Sequence, residues 1–294
     1  MENKPKISII IPTYNREKII GRTLDCIVAQ TLTDWECFVV DDFSTDNTKD
    51  LIDSYVQNDC RFHYMVNERN KGAQGARNTG LYHSNADWVW FMDSDDIVHD
   101  DFLEKMCGAI AENVDVVTCY TNIIDKDSFS VKRTCQWNLS GNVHEDLLSI
   151  KCYVYSNNCI IRKSKMQEIG GLDENCPAHQ EFDTHIRLSK VASYVTVQEI
   201  LIEYYVGGND TISVNYERSV AGRIYLLRKH KKDWLKYKDG GIKYYSDTWN
   251  SITWSYTSRW KKLGAYLKTF IVCPRLYLAS RDVRNNKKNR FIWK

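Results

Sequence analysis

Proline is scarce in this chain of 294 residues: it has four, alongside fourteen glycines. That excludes a collagen-like or proline-rich protein. Long apolar runs are missing too. The longest, such as Ile9 to Ile11 and Trp88 to Met92, fall far short of the ~20 residues a spanning helix needs. The opening MENKPKISIII lacks a signal-peptide layout, because its apolar run is short and feeds straight into a turn. The sequence therefore reads as intracellular. None of the ten cysteines forms a CxxC, and several, Cys37 and Cys119 among them, sit in apolar strand-like runs. Buried thiols are expected rather than disulfides or zinc ligands. No GxxxxGK[ST] occurs, which disfavours a P-loop nucleotide hydrolase. Internal repeats and low-complexity segments are absent.

What remains is ordinary globular composition, 43% hydrophobic and 27% charged. The length suits two units, or one large α/β unit with an appendage. The net charge of +2 conceals a division. From Tyr216 onward there are 20 Lys+Arg and 5 Asp+Glu, leaving 20 basic and 33 acidic residues in the first 215. An acidic body with a basic tail suggests cation chemistry in the one and anion contact in the other. The expected units are residues 1–215 and 216–294.

Within the body, strand and helix signals alternate. Lys6 to Pro12, Trp35 to Val40, Arg61 to Val66, Asp87 to Met92 and Val114 to Tyr120 read as strands. Arg16 to Gln30, a segment carrying Leu51, Ile52, Tyr55 and Val56, Gly75 to His83, and Asp100 to Glu112 read as helices. Ser44 or Asp46 can cap the second of these. Such alternation predicts a mostly parallel sheet covered on both faces. Ligands of such sheets bind beyond the carboxyl ends of the strands. Thr13-Tyr14-Asn15, Asp41-Asp42 and Asp93-Ser94-Asp95-Asp96 all follow strands and should gather at one edge. Further on, Asn158 to Ile161 and Tyr194 to Val206 have strand character, and Gln180 to Lys190 is helical.

The chemistry concentrates in those loops. Asp93, Asp95 and Asp96 place three carboxylates in four residues, and a hard divalent cation, Mn²⁺ or Mg²⁺, would relieve their repulsion. The alternative is a solvated acidic turn capping the helix from Asp100. Asp42 can accept a hydrogen bond from a uracil N–H or a ribose hydroxyl, or serve as a turn residue. Tyr14 can lie along a nucleobase or pack on the sheet edge. Gly72 and Gly75 let a helix N-terminus approach an anion, and Arg77 can pair with a phosphate.

Taken together, five ordered stretches resemble the large inverting glycosyltransferase family two, whose fold is the Rossmann-like GT-A. They are Ile7 to Arg16, Gln30-Thr31 with Asp34-Trp35-Glu36, Val39 to Asp46, Asn70 to Asn78, and Phe91 to Asp96. Gly170 to Glu174, followed by Glu181 and Arg187, resembles the family's acceptor-side segment. The resemblance covers roughly residues 6 to 213. It implies that Asp42 contacts uracil and that Pro12, Thr13 and Tyr14 form the nucleotide loop. Gly72, Arg77, Asp93 and Ser94 then line the nucleotide-sugar, and Asp95 with Asp93 holds the metal. Glu181 aligns as the catalytic base where the family usually has aspartate, with Asp183 as the reserve. Many members carry a histidine in the region of Tyr204 to Ser213; this chain does not, while His179 and His185 are left without a role. The implied partners are a nucleotide-sugar, UDP-linked, and a glycan or lipid-linked acceptor in surface-polysaccharide synthesis.

The tail holds 15 of the 36 aromatic residues. Tyr256, Trp260, Leu263, Leu267 and Phe270 recur at helical spacing, with Arg259, Lys261, Lys262 and Lys268 on other faces. This helical extension suits either an anionic membrane surface or packing of the stripe on the body. Nucleic-acid binding is disfavoured, since no known module accompanies the basic run Arg281 to Arg290. Two other readings of the whole chain are a sugar nucleotidyltransferase, whose Gly/Lys-rich loop is lacking at Pro12 to Arg16, and an inactive sugar-nucleotide-binding scaffold. The expected location is cytoplasmic, with peripheral attachment to the inner face of the cell membrane.

Overall fold

The computed structural model describes residues 4–125, 127–206 and 216–285, with side chains to Arg281. The chain divides into two compact units. The first comprises Met1–Val143, Val154–Glu174 and Arg187–Asn209; the second comprises His144–Tyr153, Asn175–Ile186 and Asp210–Lys294. The described part of the expected tail, 216–285, falls in the second unit, which also takes in His144–Tyr153 and Asn175–Ile186 from within the expected body.

The chain opens with β1 (Ile7–Thr13), α1 (Ile20–Val28), β2 (Trp35–Asp41), α2 (Thr48–Asn58), β3 (Phe62–Val66), α3 (Ala73–His83) and β4 (Trp88–Phe91). β5 (Ile97–Val98), α4 (Phe102–Gly108), β6 (Val116–Asp125), β7 (Val131–Cys135), β8 (Ser140–Gly141) and α5 (His144–Leu148) follow. Then come β9 (Cys159–Arg162), α6 (Lys163–Glu168), α7 (Gln180–Leu188) and β10 (Tyr194–Val206). The remaining helices are α8 (Tyr216–Lys229), α9 (Lys231–Lys236), α10 (Lys238–Ser255), α11 (Arg259–Val272) and α12 (Pro274–Asn285).

In the first unit the sheet order is β3-β2-β1-β4-β9-β6-β10-β5, with β7 on β6 and β8 on β10. β3, β2, β1 and β4 run parallel, as do β6 and β10. β9 lies antiparallel between the two parallel sets. Every residue of β1 and β2 is buried, as continuous apolar strands covered on both faces require. α1 buries Ile20, Leu24 and Ile27 along one face, and these join β1 and β2 residues in the main core. Nine of the ten cysteines are buried, Cys60 alone is exposed, and all are free thiols.

Two local alternatives are decided. Asp46, not Ser44, meets the start of α2: its Oδ1 accepts from the Thr48 N–H at 3.1 Å. Ser44 instead turns back to Asp41. The acidic turn does not cap α4, because β5 intervenes and pairs with β10.

In the second unit the apolar centre is aromatic. Phe182 stacks on Tyr153 at 5.9 Å and on Tyr244 at 5.8 Å, and Tyr244 on Trp234 at 4.7 Å. These distances suit offset stacking of buried rings. A separate cluster of Val220, Ile252 and Ala265 joins α8, α10 and α11.

Candidate active site

The parallel register of β1 on β2 and on β4 sends their carboxyl ends to one edge. β1 stays paired with β2 up to Thr13 opposite Asp41, but its ladder with β4 stops at Ile10 opposite Phe91. Pro12 lies beyond that point, so its missing N–H leaves no ladder bond unmade there.

The loops at this edge are stitched to one another. Asp41 Oδ1 accepts from the Ser44 N–H at 3.0 Å and the Ser44 hydroxyl at 2.5 Å, and its Oδ2 accepts from Tyr64 Oη at 2.9 Å. Ser44 Oγ accepts in turn from the Asn15 N–H at 2.9 Å, and Asn15 Oδ1 accepts from Thr45 N–H at 2.8 Å. Asn15 adopts φ 52°, a left-handed conformation that asparagine tolerates. Asp41 is therefore a brace for the Thr13 to Arg16 loop. Tyr14, held at its tip, is 46% exposed, with Lys71 Nζ 5.0 Å from its ring centroid.

Asp42 is buried. Its Oδ1 accepts from Asn67 Nδ2 at 2.7 Å, and its Oδ2 from the Gly72 N–H at 2.8 Å. Gly72 has φ 125° and ψ 164°, a region closed to residues with a side chain. Gly75 is fixed by space instead: a Cβ there would stand 1.9 Å from the Asn70 carbonyl oxygen. Asn67 anchors the segment further, since its Nδ2 also donates to Asn70 O at 3.0 Å and its Oδ1 accepts from Arg69 N–H at 3.0 Å and Thr79 Oγ1 at 3.1 Å.

The acidic turn after β4 separates its carboxylates by role. Asp93 pairs with the Arg77 guanidinium. Arg77 is buried, and its Nε has no partner among the described residues. Thr13 Oγ1, at the end of β1, is likewise buried without a partner. Ser94 is buried and its carbonyl accepts from Thr23 Oγ1 at 3.1 Å. Asp95 is exposed. Asp96 is buried, accepting from Asn157 Nδ2 at 2.8 Å. Burial first, and then the Asp93 charge, push its carboxyl well above the usual range. Asn157 is held through its carbonyl by Trp90 Nε1 at 2.7 Å. Asp96 thus braces the turn from below.

Among the described residues no three His, Cys, Asp or Glu side chains group to hold a metal by themselves. What the turn offers is Asp95 and the part of Asp93 that Arg77 leaves over. That fits a cation that takes most of its ligands from phosphate and water, as Mg²⁺-type sites do. The unpartnered Arg77 Nε and Thr13 Oγ1 fit polar oxygens arriving beside it.

The Gly170 to Glu174 segment is tied to α3. Asn78 Oδ1 accepts from Leu172 N–H at 2.9 Å, while its Nδ2 donates to Leu172 O at 2.9 Å and Glu174 Oε1 at 2.7 Å. Glu174 Oε2 reaches the Asn70 N–H at 3.3 Å. Arg187 Nη1 donates to Ile169 O at 2.9 Å and Gly171 O at 2.6 Å, a structural use of that residue. Asn67 and Asn157 carry no signal beyond hydrogen-bonding capacity in the sequence, and Asn78 and Glu174, though inside stretches that carry the resemblance, show their pairing only through partners distant along the chain.

In the second unit, Glu181 is half-buried in the first turn of α7. Asp183 is fully buried. Its Oδ1 lies 2.8 Å from both Lys229 Nζ and His230 Nε2. His179 has φ 60° and meets Ser219 Oγ at 3.0 Å. Burial, then the Arg223 charge, lowers its imidazole to about 3. His185 is buried. Residues 207–213, part of the region lacking a histidine, lie outside the described residues, as do the expected boundary at Asn215 and the end of the basic run.

The sheet order and its covering helices are those of the GT-A fold. Residues 8–170 match the sequence model of Glycosyl transferase family 2, and the chain belongs to that family. It is 38% identical over 107 residues to the UDP-Glc:alpha-D-GlcNAc-diphosphoundecaprenol beta-1,3-glucosyltransferase WfgD of Escherichia coli, covering 36% of this chain and 42% of WfgD. The match thus spans less than half the length of that relative. The fold is similar to the crystal structure of S. aureus TarS 1-349 in complex with UDP-GlcNAc, at TM-score 0.62 and 18% identity over 95% of this chain and 92% of that one. It is also similar to the mannosyltransferase PcManGT from Pyrobaculum calidifontis in complex with GDP-Man and Mn2+, at TM-score 0.62 and 16% identity over 98% and 82%. No described helix is long and apolar enough to cross a membrane.

Proposed function

We propose that this protein is an inverting, metal-dependent glycosyltransferase that moves a sugar from a UDP-sugar to a hydroxyl of a glycan or lipid-linked acceptor. The setting is cell-surface polysaccharide synthesis, on the cytoplasmic face of the membrane. One observation carries the reading. The buried Asp42 carboxylate is held by two neutral donors, Asn67 and the Gly72 N–H, on the sheet edge that also bears the Asp93 to Asp96 turn.

A carboxylate held in this way keeps lone pairs for further donors, and uracil N3–H and ribose hydroxyls are such donors. Tyr14 offers its exposed face to the base, while Pro12 and Thr13 shape the loop beneath it. Gly72 and Arg77 contact the nucleotide-sugar, and Asp93 and Ser94 its ribose or sugar. Asp95, with Asp93, holds Mn²⁺ or Mg²⁺, which when bound neutralises charge on the departing diphosphate. Glu181 takes the proton from the acceptor hydroxyl as the new bond forms. Asp183 is the weaker choice of base, because Lys229 and His230 already engage it. Attack opposite the leaving group in one displacement inverts the anomeric centre, by the same stereochemical logic as inverting glycosidases. The UDP-linked names of WfgD and the TarS complex, and the Mn2+ of the PcManGT complex, support the donor and the ion.

A panel of nucleotide-sugars incubated with protein, acceptor lipid and Mn²⁺ tests this. The expected result is release of UDP and a product of inverted anomeric configuration by NMR. Tight donor binding without turnover on any acceptor would point to the scaffold reading, and a retained configuration would refute the single displacement.

A further inference from the structure

α11 carries two distinct faces. One is covered. Ala265 and Thr269 are buried, Ala265 packing with Val220 and Ile252. Next to them Tyr266 stacks on Trp249 at 4.2 Å and shares a 2.6 Å hydrogen bond with Thr253 Oγ1. The other face is exposed among the described residues, with only Phe270 meeting a neighbour's ring, that of Tyr277 edge-on at 5.1 Å. Trp260 is 80% exposed, Leu263 57%, Leu267 56%, Phe270 40% and Ile271 65%. At about 100° per residue these five fall within an arc of roughly 100°, centred opposite Ala265 and Thr269. Single exposed apolar residues are ordinary, but a contiguous row of this size marks a surface that is covered in use.

The border of the row is cationic. Arg259 lies next to Phe270 on one side of the arc, and Lys268 and Lys261 lie on the other. All three are exposed, Lys261 also reaching Glu217 at 2.9 Å. Between Asp247 and Asp282 the chain has six Lys+Arg and no carboxylate. This charge selects the occupant. Protein interfaces are depleted in lysine. A bilayer interface accommodates lysine and arginine by letting the stems lie along apolar surface while the heads reach phosphate. Tryptophan at the end of the row suits the headgroup boundary.

We propose that this face of α11 docks on an anionic lipid surface. Trp260, Leu263, Leu267, Phe270 and Ile271 enter the headgroup–acyl boundary, and Arg259, Lys261 and Lys268 meet lipid phosphates. The helix lies in the plane of the interface; its 14 residues are too few to span.

The full chain is sedimented with vesicles of phosphatidylcholine alone and of phosphatidylcholine mixed with phosphatidylglycerol. Binding to the mixed vesicles is expected, falling as salt is raised, with little binding to phosphatidylcholine alone. The double substitution Leu263→Gln/Leu267→Gln should weaken partitioning at least about tenfold. Arg259→Glu/Lys268→Glu should also weaken it at least about tenfold, by removing two cations from the anionic surface. These positions are exposed, and circular dichroism verifies that both variants keep their helix content. Full vesicle binding in both variants would overturn the proposal. So would a chain that does not bind mixed vesicles but forms a dimer that Leu263→Gln/Leu267→Gln dissociates, since the occupant would then be a second copy.

Discussion

Asp42 in the first unit and Asp183 in the second are both buried carboxylates, yet their surroundings differ in kind. Asp42 faces neutral donors, the Asn67 amide and the Gly72 N–H. Asp183 faces the Lys229 ammonium and the His230 imidazole. Neutral donors orient a carboxylate without cancelling its charge, so it can still act on a ligand. A cation at 2.8 Å consumes that charge in holding the fold. Exposure draws a second line within the acidic turn, where Asp95 is exposed while Asp96 is buried and braced by Asn157. Acidic residue type therefore says little about chemistry until its partners are known.

The largest effect that could break this contrast is kinetic. Glu181→Gln should lower kcat by at least ~10²-fold through loss of the general base, with little change in thermal stability. Asp183→Asn should do the reverse. Removing one member of a buried charged set typically costs about 3–5 kcal/mol, so denaturant unfolding should show the loss, while kcat per folded molecule changes less. If Asp183→Asn instead abolishes turnover in a fully stable protein, the base has been misassigned.

A smaller effect sharpens the account of Asp42. Asn67→Ala removes one of its two donors and leaves Arg69 N–H and Thr79 Oγ1 without their acceptor. The cost of such orphaned groups, about 1–3 kcal/mol, falls on folding stability, while the loosened Asp42 carboxylate should hold UDP roughly tenfold more weakly through loss of one orienting hydrogen bond. The measured split should lie in donor KM rather than kcat. An unchanged donor KM would show that Gly72 alone suffices.

The smallest expected effect concerns pH. His179 is neutral in the folded state and its imidazole is lowered to about 3 by burial, against an ordinary value near 6.5. Its contribution is intact above about pH 6.5 and is lost as pH falls toward 3, because the unfolded chain takes up a proton that the folded chain refuses. Tm should therefore fall between pH 7 and pH 5. His179→Asn, which tolerates the φ of 60°, should make that slope shallower; an unchanged slope assigns it to other groups.

Much of the first unit was legible because continuous apolar runs and strand-end carboxylates are local signals. β1, β2, β3, β4 and β10 fall within a residue or two of their expected limits, and the loops of Tyr14, Asp42 and Asp95 share one edge. The antiparallel direction of β9 was not legible, since Cys159–Arg162 reads as a strand whichever way it runs. Nor were β5, β7 and β8, which are too short or too polar to stand out. At the site, Asp42 and Asp95 could be named from the sequence, but Asn67 and Asn157 could not, their contacts spanning 25 and 61 residues. The partners of Asp183, the reserve base, were not legible either, since Lys229 and His230 lie 46 and 47 residues away. The aromatic row of the tail was visible as a pattern, and only the structure separates the face that packs from the face that does not.

Titration of UDP into the protein with and without Mn²⁺, repeated with Asp95→Asn, bears most directly on the strand-end site. UDP binding that Mn²⁺ strengthens is expected in the wild-type chain, with no Mn²⁺ enhancement in a fully folded Asp95→Asn variant. Mn²⁺-independent binding in the wild type, or an undiminished Mn²⁺ effect in the variant, would contradict that assignment.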